Sequence, residues 1–160
     1  MKRSLLFVSL LTGTLLLNSC GKQEETPKLY DRLGKTEGIA KIVDGLIANV
    51  GAECGTPNSL LFRTHEALLE STKPGSTDPN RLQRLRNHFI DQVGEATGGP
   101  LTYKGQSMLS AHTGMAITHA EFAVWRTQLE ASLNSNGVSE ADKAELYLII
   151  DKMHNDVVGH

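Results

Sequence analysis

Cysteine is scarce in this chain: Cys20 and Cys54 are the two that occur in 160 residues. Once Cys20 is accounted for below, Cys54 stands alone and no internal disulfide can form. A basic excess is missing as well. Lys and Arg number 16 against 18 Asp and Glu, which gives no electrostatic reason to expect a nucleic-acid partner. No strand-like alternation and no internal repeat occurs along the chain. One long apolar run stands out, Ser4 to Leu17, too short and too abruptly ended to be a spanning helix.

That run follows the basic pair Lys2-Arg3 and closes on Asn18-Ser19-Cys20, the layout of an export signal. The ending Leu17-Asn18-Ser19-Cys20 resembles a bacterial lipobox, in which cleavage leaves Cys20 first and lipid is attached to its sulfur. An ordinary secretory signal is the alternative. Several acyl chains, each methylene worth about 0.8 kcal/mol when buried, would anchor the protein to a bacterial membrane, on the periplasmic side or at the cell surface. Residues 1–19 are therefore read as a lipoprotein signal peptide. Residues 20–28, polar and aperiodic, are read as a flexible tether. Loss of Lys2 and Arg3 leaves fourteen basic residues against 18 acidic ones.

What remains is helical throughout. Ile39, Ile42, Val43, Leu46, Ile47 and Val50 recur at spacings of three and four, one stripe of a helix with Thr36 as N-cap. Gly51 to Gly55 is expected to end it. A second helix is expected over Ser59 to Ser71, before the break at Lys73-Pro-Gly-Ser-Thr. Asp78-Pro79 should open a third, with Leu82, Leu85, Phe89, Ile90 and Val93 buried and Gly98-Gly99-Pro100 as its stop. Thr118 and Glu121 form a capping box for a helix carrying Phe122, Trp125, Leu129 and Leu133. After Asn136-Gly137, Ser139 and Asp142 cap a last helix with Leu146, Ile149, Ile150, Met153 and Val157. The fold class is all-α.

His112 sits on a short segment between glycine-rich breaks, in Tyr103-Lys-Gly105-Gln-Ser-Met108-Leu-Ser-Ala-His112-Thr-Gly114-Met115-Ala-Ile117-Thr118. An imidazole held there can offer a ring nitrogen to a metal. Structural zinc asks for about four protein ligands, and no Cys or His cluster near His112 supplies them. Haem iron accepts a lone histidine. A structural histidine between apolar neighbours is the other reading.

Taken in order, several segments resemble the truncated haemoglobins, short bacterial globins with a two-over-two helical sandwich. Leu29-Tyr30-Asp31-Arg32-Leu33-Gly34 matches the family's opening, and Ala96-Thr97-Gly98-Gly99-Pro100 with Tyr103-Lys104-Gly105 its middle. Met108, His112-Thr113-Gly114, Ile117-Thr118 and Phe122 match the segment around the iron ligand. The pattern is most similar to the first of the family's three main groups and covers residues 29–158. The resemblance implies haem b, and without a Cys-x-x-Cys-His sequence the haem is held non-covalently. It makes His112 the proximal iron ligand, with Met108, Met115 and Ile117 against the porphyrin. Phe62 is aligned beside the ring, in a stretch, residues 51–78, longer than the family's usual one.

The distal side departs from the family. The position of the tyrosine that donates to bound oxygen in many first-group members falls on Ile47, and the usual polar distal positions fall on Leu85 and Phe89. His88 aligns with a histidine that binds iron from the distal side in some cyanobacterial members. Its alternative is a surface residue near a haem propionate. Trp125 aligns with a distal tryptophan of the other two groups, whose indole N–H can only donate; a packed core aromatic is the alternative. Arg84 is the most plausible propionate partner of the run Arg81, Arg84, Arg86. His65 is expected exposed, His119 solvated and Cys54 partly exposed.

The function implied is reversible binding of a diatomic gas, oxygen or nitric oxide, on haem ligated by His112. Three alternatives share the fold. One is a haem enzyme that oxidises nitric oxide or reduces peroxide, the first needing a redox partner outside the cytoplasm. The second is an electron carrier with His112 and His88 on the iron, and the third a globin that has lost its haem. The apolar Ile47 and Leu85 weigh against peroxide chemistry, which profits from a distal acid–base group.

Overall fold

The computed structural model describes residues 26–160; the expected signal peptide, Cys20 and most of the tether lie outside the described residues. Seven helices follow in order: α1 Leu29–Arg32, α2 Lys35–Cys54, α3 Phe62–Ser71, α4 Arg81–Ala96, α5 Met108–His112, α6 His119–Ser135 and α7 Glu140–Val157. Among the described residues there is no strand, only a single parallel bridge between Ile117 and Val158.

The helices form a two-over-two sandwich, α2 with α4 over α6 with α7. The apolar stripe of α2 is its centre: Ile39, Ile42, Val43, Leu46 and Val50 are buried, as are Leu129 and Leu133 of α6 and Leu146 and Ile150 of α7. Each such side chain contributes about 1.5–3 kcal/mol on burial. The α2–α6 crossing is close because Gly45 has no side chain. A Cβ there would run into the Ser132 hydroxyl, which donates to the Ile42 carbonyl at 2.6 Å. Layer two is tied by Arg126, which pairs with Asp151 at 2.7 Å and lies 4.2 Å over the Tyr147 ring.

Helix ends show where local signals were sufficient. Thr118 and Glu121 make the full capping box on α6, and the Ser139 hydroxyl accepts from the Asp142 N–H on α7. Thr36 is not the N-cap of α2. The chain turns through Gly34 at φ +84, so the helix starts earlier, and the Thr36 hydroxyl pairs with Tyr30 Oη at 2.9 Å instead. The helix also runs through Gly51 and stops at Gly55. Asp78-Pro79 forms a turn rather than a helix start: α4 begins at Arg81 behind Asn80, while the Asp78 carboxylate is taken by Arg84 at 2.5 Å. α3 begins at Phe62, because the Ser59 hydroxyl accepts from the N–H groups of Leu61 and Phe62, at 3.1 and 3.0 Å. Cys54 is buried, 6% exposed, and burial pushes its thiol above the ordinary value.

Candidate functional site

α5 is a five-residue helix whose start is fixed by Ser107, the hydroxyl accepting from the Ser110 N–H at 3.2 Å. His112 ends it. Its Nδ1 lies 2.7 Å from the Met108 carbonyl oxygen. A carbonyl can only accept, so Nδ1 carries a proton, and in the neutral imidazole Nε2 keeps its lone pair. The backbone then leaves the helix through Gly114 at φ +85 and Ala116 at φ +48. Two C-terminal contacts pin this loop. Gly159 N–H donates to the Ile117 carbonyl at 2.9 Å, and Ala116 N–H donates to the carbonyl of His160.

His112 lines a cavity of about 610 Å³, within the size of cofactor pockets and walled mainly by apolar side chains. The structure brings Leu85, His88, Phe89, Met108, Met115, Ile117 and Trp125 to the same cavity, together with Ile47. Phe89 and Phe122 flank Trp125, with ring centroids at 6.2 and 5.9 Å, and the indole N–H has no hydrogen-bond partner among the described residues. His88 is exposed and stands edge-on to Tyr103 at 5.9 Å. The Tyr103 hydroxyl donates to the Gln106 carbonyl at 2.7 Å, and burial raises its pKa.

Phe62 does not belong to this group. It is 44% exposed, whereas its neighbour Leu61 is 1% exposed and lines the cavity. The Ser59 contacts set the phase of α3 so that Leu61, Thr64, His65, Leu68 and Thr72 form its cavity face, spacings of three and four that leave Phe62 outside. His65, expected exposed, is half-buried on that face. The i, i+4 recurrence of Leu61, His65 and Leu69 is the sequence signal of this face. Arg84 reaches the cavity edge but is committed to Asp78; Arg81, also at the edge, forms no ion pair among the described residues. His119 is exposed, but its Nδ1 meets His154 Nε2 at 3.2 Å.

One ion pair spans the cavity's walls. Arg63 of α3 reaches Glu121 of α6 at 2.6 Å and donates to the Met115 and Ala116 carbonyls at 2.6 and 3.2 Å. Glu121 is 6% exposed. Burial alone would raise its pKa; hydrogen bonds from the Thr118 N–H and hydroxyl, and from Arg63, outweigh that and hold the carboxyl below its ordinary value.

The donor set fits a haem. The His112 imidazole lines an apolar cavity of cofactor size, to which His65 and His88 also come, and its Nδ1 is oriented by a backbone carbonyl, as ligating histidines usually are. Among the described residues no three His, Cys, Asp or Glu side chains cluster as a ligand set for a closed metal site.

Comparison with known proteins agrees with this architecture. A Group 1 truncated hemoglobin of Tetrahymena pyriformis is 30% identical over 84 residues, 52% of this chain and 67% of the relative. One of Mycolicibacterium paratuberculosis is 23% identical over 125 residues, 78% of this chain and 79% of the relative. The crystal structure of the T. pyriformis truncated hemoglobin in its Fe(III) form superposes with a TM-score of 0.66 at 22% identity, over 84% of this chain and 100% of that one. At that identity it shows the shared fold. The family profile described as Bacterial-like globin matches residues 28–158, the whole helical sandwich, and this chain belongs to that family.

Proposed function

We propose that this globin binds haem b non-covalently through His112 and takes up a diatomic gas, oxygen or nitric oxide. The observation that carries the reading is the His112 ring, lining an apolar cavity with Nδ1 bonded to Met108 and Nε2 free. Haem bound there supplies an iron with a coordination position for the gas. The chain's part is to orient the imidazole, to exclude water with Met108, Met115 and Ile117, and to shape the gas side with Ile47, Leu85 and Phe89. None of these last three can donate a hydrogen bond, which favours fast gas exchange over tight storage. With Arg84 paired to Asp78, Arg81 at the cavity edge is the cation this reading assigns to a propionate.

The test is uptake of haem by the purified full chain, followed by absorption spectra in ferric and ferrous forms with and without carbon monoxide. One haem per chain and a carbon monoxide adduct are expected. Failure to take up haem sinks the reading.

We further propose that Cys20 carries lipid and holds the protein outside the cytoplasm, the motive being Leu17-Asn18-Ser19-Cys20 after an apolar run. Cys20→Ala should abolish membrane lipid labelling and Cys54→Ala should not. Equal labelling of Cys20→Ala and the parent overturns the anchor.

A further inference from the structure

Both backbone polar groups of Ala116 are held, and the residue needs holding. Its φ of +48 lies in the left-handed region, which a residue with a Cβ occupies only where its surroundings impose it. The Ala116 N–H donates to the His160 carbonyl, and the Ala116 carbonyl accepts from Arg63 Nη2 at 3.2 Å. Arg63 Nη1 donates to the Met115 carbonyl at 2.6 Å, and the Met115 N–H donates in turn to the carbonyl of His112 at 3.0 Å. One residue therefore stands between the guanidinium and the backbone of His112. Glu121 completes the clamp by dividing its oxygens. Oε1 takes Arg63 at 2.6 Å, and Oε2 takes the Thr118 N–H and hydroxyl at 2.7 and 2.8 Å. Arg63 belongs to α3 and Glu121 to α6, so the loop between α5 and α6 is gripped from outside itself.

We propose that Arg63 is the positioning residue of the proximal segment: its fork on Met115, Ala116 and Glu121 fixes the loop after His112, and with it the angle at which the imidazole is presented to the cavity. This rests on the reading that His112 holds haem. α5 has five residues, too few to hold a ring by its own ladder. The way the chain leaves His112 then decides how firmly the Nδ1 contact with Met108 is kept. An arginine suits the task because its guanidinium offers five donors in a planar fork, whereas a compact ammonium cannot span two carbonyls and a carboxylate. The Arg63 side chain is 55% exposed. Water screens its ion pair, and the directed bonds to the two carbonyls carry the positioning. Without the clamp the left-handed turn at Ala116 relaxes, the His112 ring samples both tautomers, and haem leaves sooner.

The experiment compares the full chain with Arg63→Ala, Arg63→Lys and Arg86→Ala, the last removing an ion pair to Asp44 elsewhere on the surface. In the haem-free proteins, amide hydrogen exchange at residues 114–118 should quicken by about tenfold in Arg63→Ala, the size of one charge-assisted hydrogen bond. The core amides of α2 and α6 should keep their protection. The His112 ring nitrogen shifts should move from Nδ1–H towards a mixture of tautomers, a readout that needs no haem. Once loaded, Arg63→Ala should lose haem to an acceptor globin faster by a similar factor. Arg63→Lys keeps a cation opposite Glu121 and should recover the parent Tm, yet not the loop exchange, the tautomer or the haem retention. Arg86→Ala should match the parent in all of these. Unchanged haem retention in Arg63→Ala, whatever its loop exchange, overturns the proposal and leaves His112 as the ligand. Full recovery by Arg63→Lys assigns the effect to charge and overturns it too, as do equal changes in Arg86→Ala or a quickening of exchange throughout the core. A parent that takes up no haem overturns the haem reading and this role with it.

Discussion

His112 Nδ1 rests 2.7 Å from the carbonyl oxygen of Met108 at the other end of the five-residue helix α5. The helix is long enough for this one bond and little more. Its brevity leaves the ring's orientation to that bond, to the Gly114 turn behind it, and to the two backbone contacts from residues 159 and 160. The ring proposed as the proximal ligand is therefore oriented by backbone geometry rather than by a charged partner.

Replacing this imidazole should remove haem and spare the fold. His112→Ala is expected to lose most of its haem while retaining its far-ultraviolet circular dichroism, because His112 is half-buried at the end of a short helix and carries none of the sandwich core. Added imidazole should restore part of the haem binding. Full haem content with an unchanged ligation spectrum counts against His112 as the ligand.

Gly99 is the residue where the opening motif meets the middle one. A Cβ there would sit 2.6 Å from Tyr30 Cε2 and 2.7 Å from the Gly94 carbonyl oxygen, and Tyr30 N–H donates to Thr97 O at 3.0 Å. Neither backbone nor a buried ring can step aside cheaply. Gly99→Ala should destabilise the fold by about 1–3 kcal/mol, seen as a lower Tm in thermal melts. An unchanged Tm would mean that α1 is not seated on the Gly98-Gly99 turn.

Signals confined to one turn of chain were legible in the sequence. The Thr118–Glu121 box is a four-residue pattern, and the stripes of α2, α6 and α7 depend only on spacing. The start of α2 was misplaced because a left-handed Gly34 can begin a helix with no side-chain cap, and Thr36 is the more familiar signal. Phe62 and His65 depart from the sequence expectation for a related reason: one serine, Ser59, fixes the phase of α3, and a one-residue change of phase exchanges Leu61 for Phe62 on the cavity wall. Contacts between distant residues left no local trace. Nothing near Arg63 announces Glu121, 58 residues on, and nothing at the C-terminus announces that it fastens the loop after His112. The type and order of the residues around His112 were readable because they lie within a dozen positions of one another.

Glu121 should make the protein acid-sensitive. Its folded pKa is depressed, so its contribution is complete above the ordinary carboxylate range and is lost as pH falls through the folded value. Arg63 is 55% exposed, so most of the effect resides in the buried Thr118 contacts rather than in the ion pair. Glu121→Gln is expected to cost about 1–2 kcal/mol at pH 7. The gap between variant and parent should close as the pH is lowered below about 4. Denaturant titrations at a series of pH values measure this, and a gap that does not change with pH would assign the cost to packing alone.

Ile47 offers the most direct test of the gas side. It lines the cavity with Phe89 and Trp125, at the position where the resemblance expects a tyrosine. A hydrogen bond donated there has a net worth of about 1 kcal/mol or more, and 1.4 kcal/mol is about tenfold in affinity, felt mainly as slower dissociation. Ile47→Tyr should therefore slow oxygen release by up to about tenfold, the ring taking space beside Phe89. Trp125 is the competing donor, since its indole N–H has no partner among the described residues. If Trp125 already serves the gas, Ile47→Tyr will change little and Trp125→Phe will speed release. Where His88 holds the iron, both effects will be hidden behind its departure, and the deoxy ferrous spectrum will be six-coordinate. Stopped-flow oxygen release in the single and paired variants separates these cases. Slow release from a five-coordinate ferrous form that neither Ile47→Tyr nor Trp125→Phe alters would show that the gas is held by a group outside this wall.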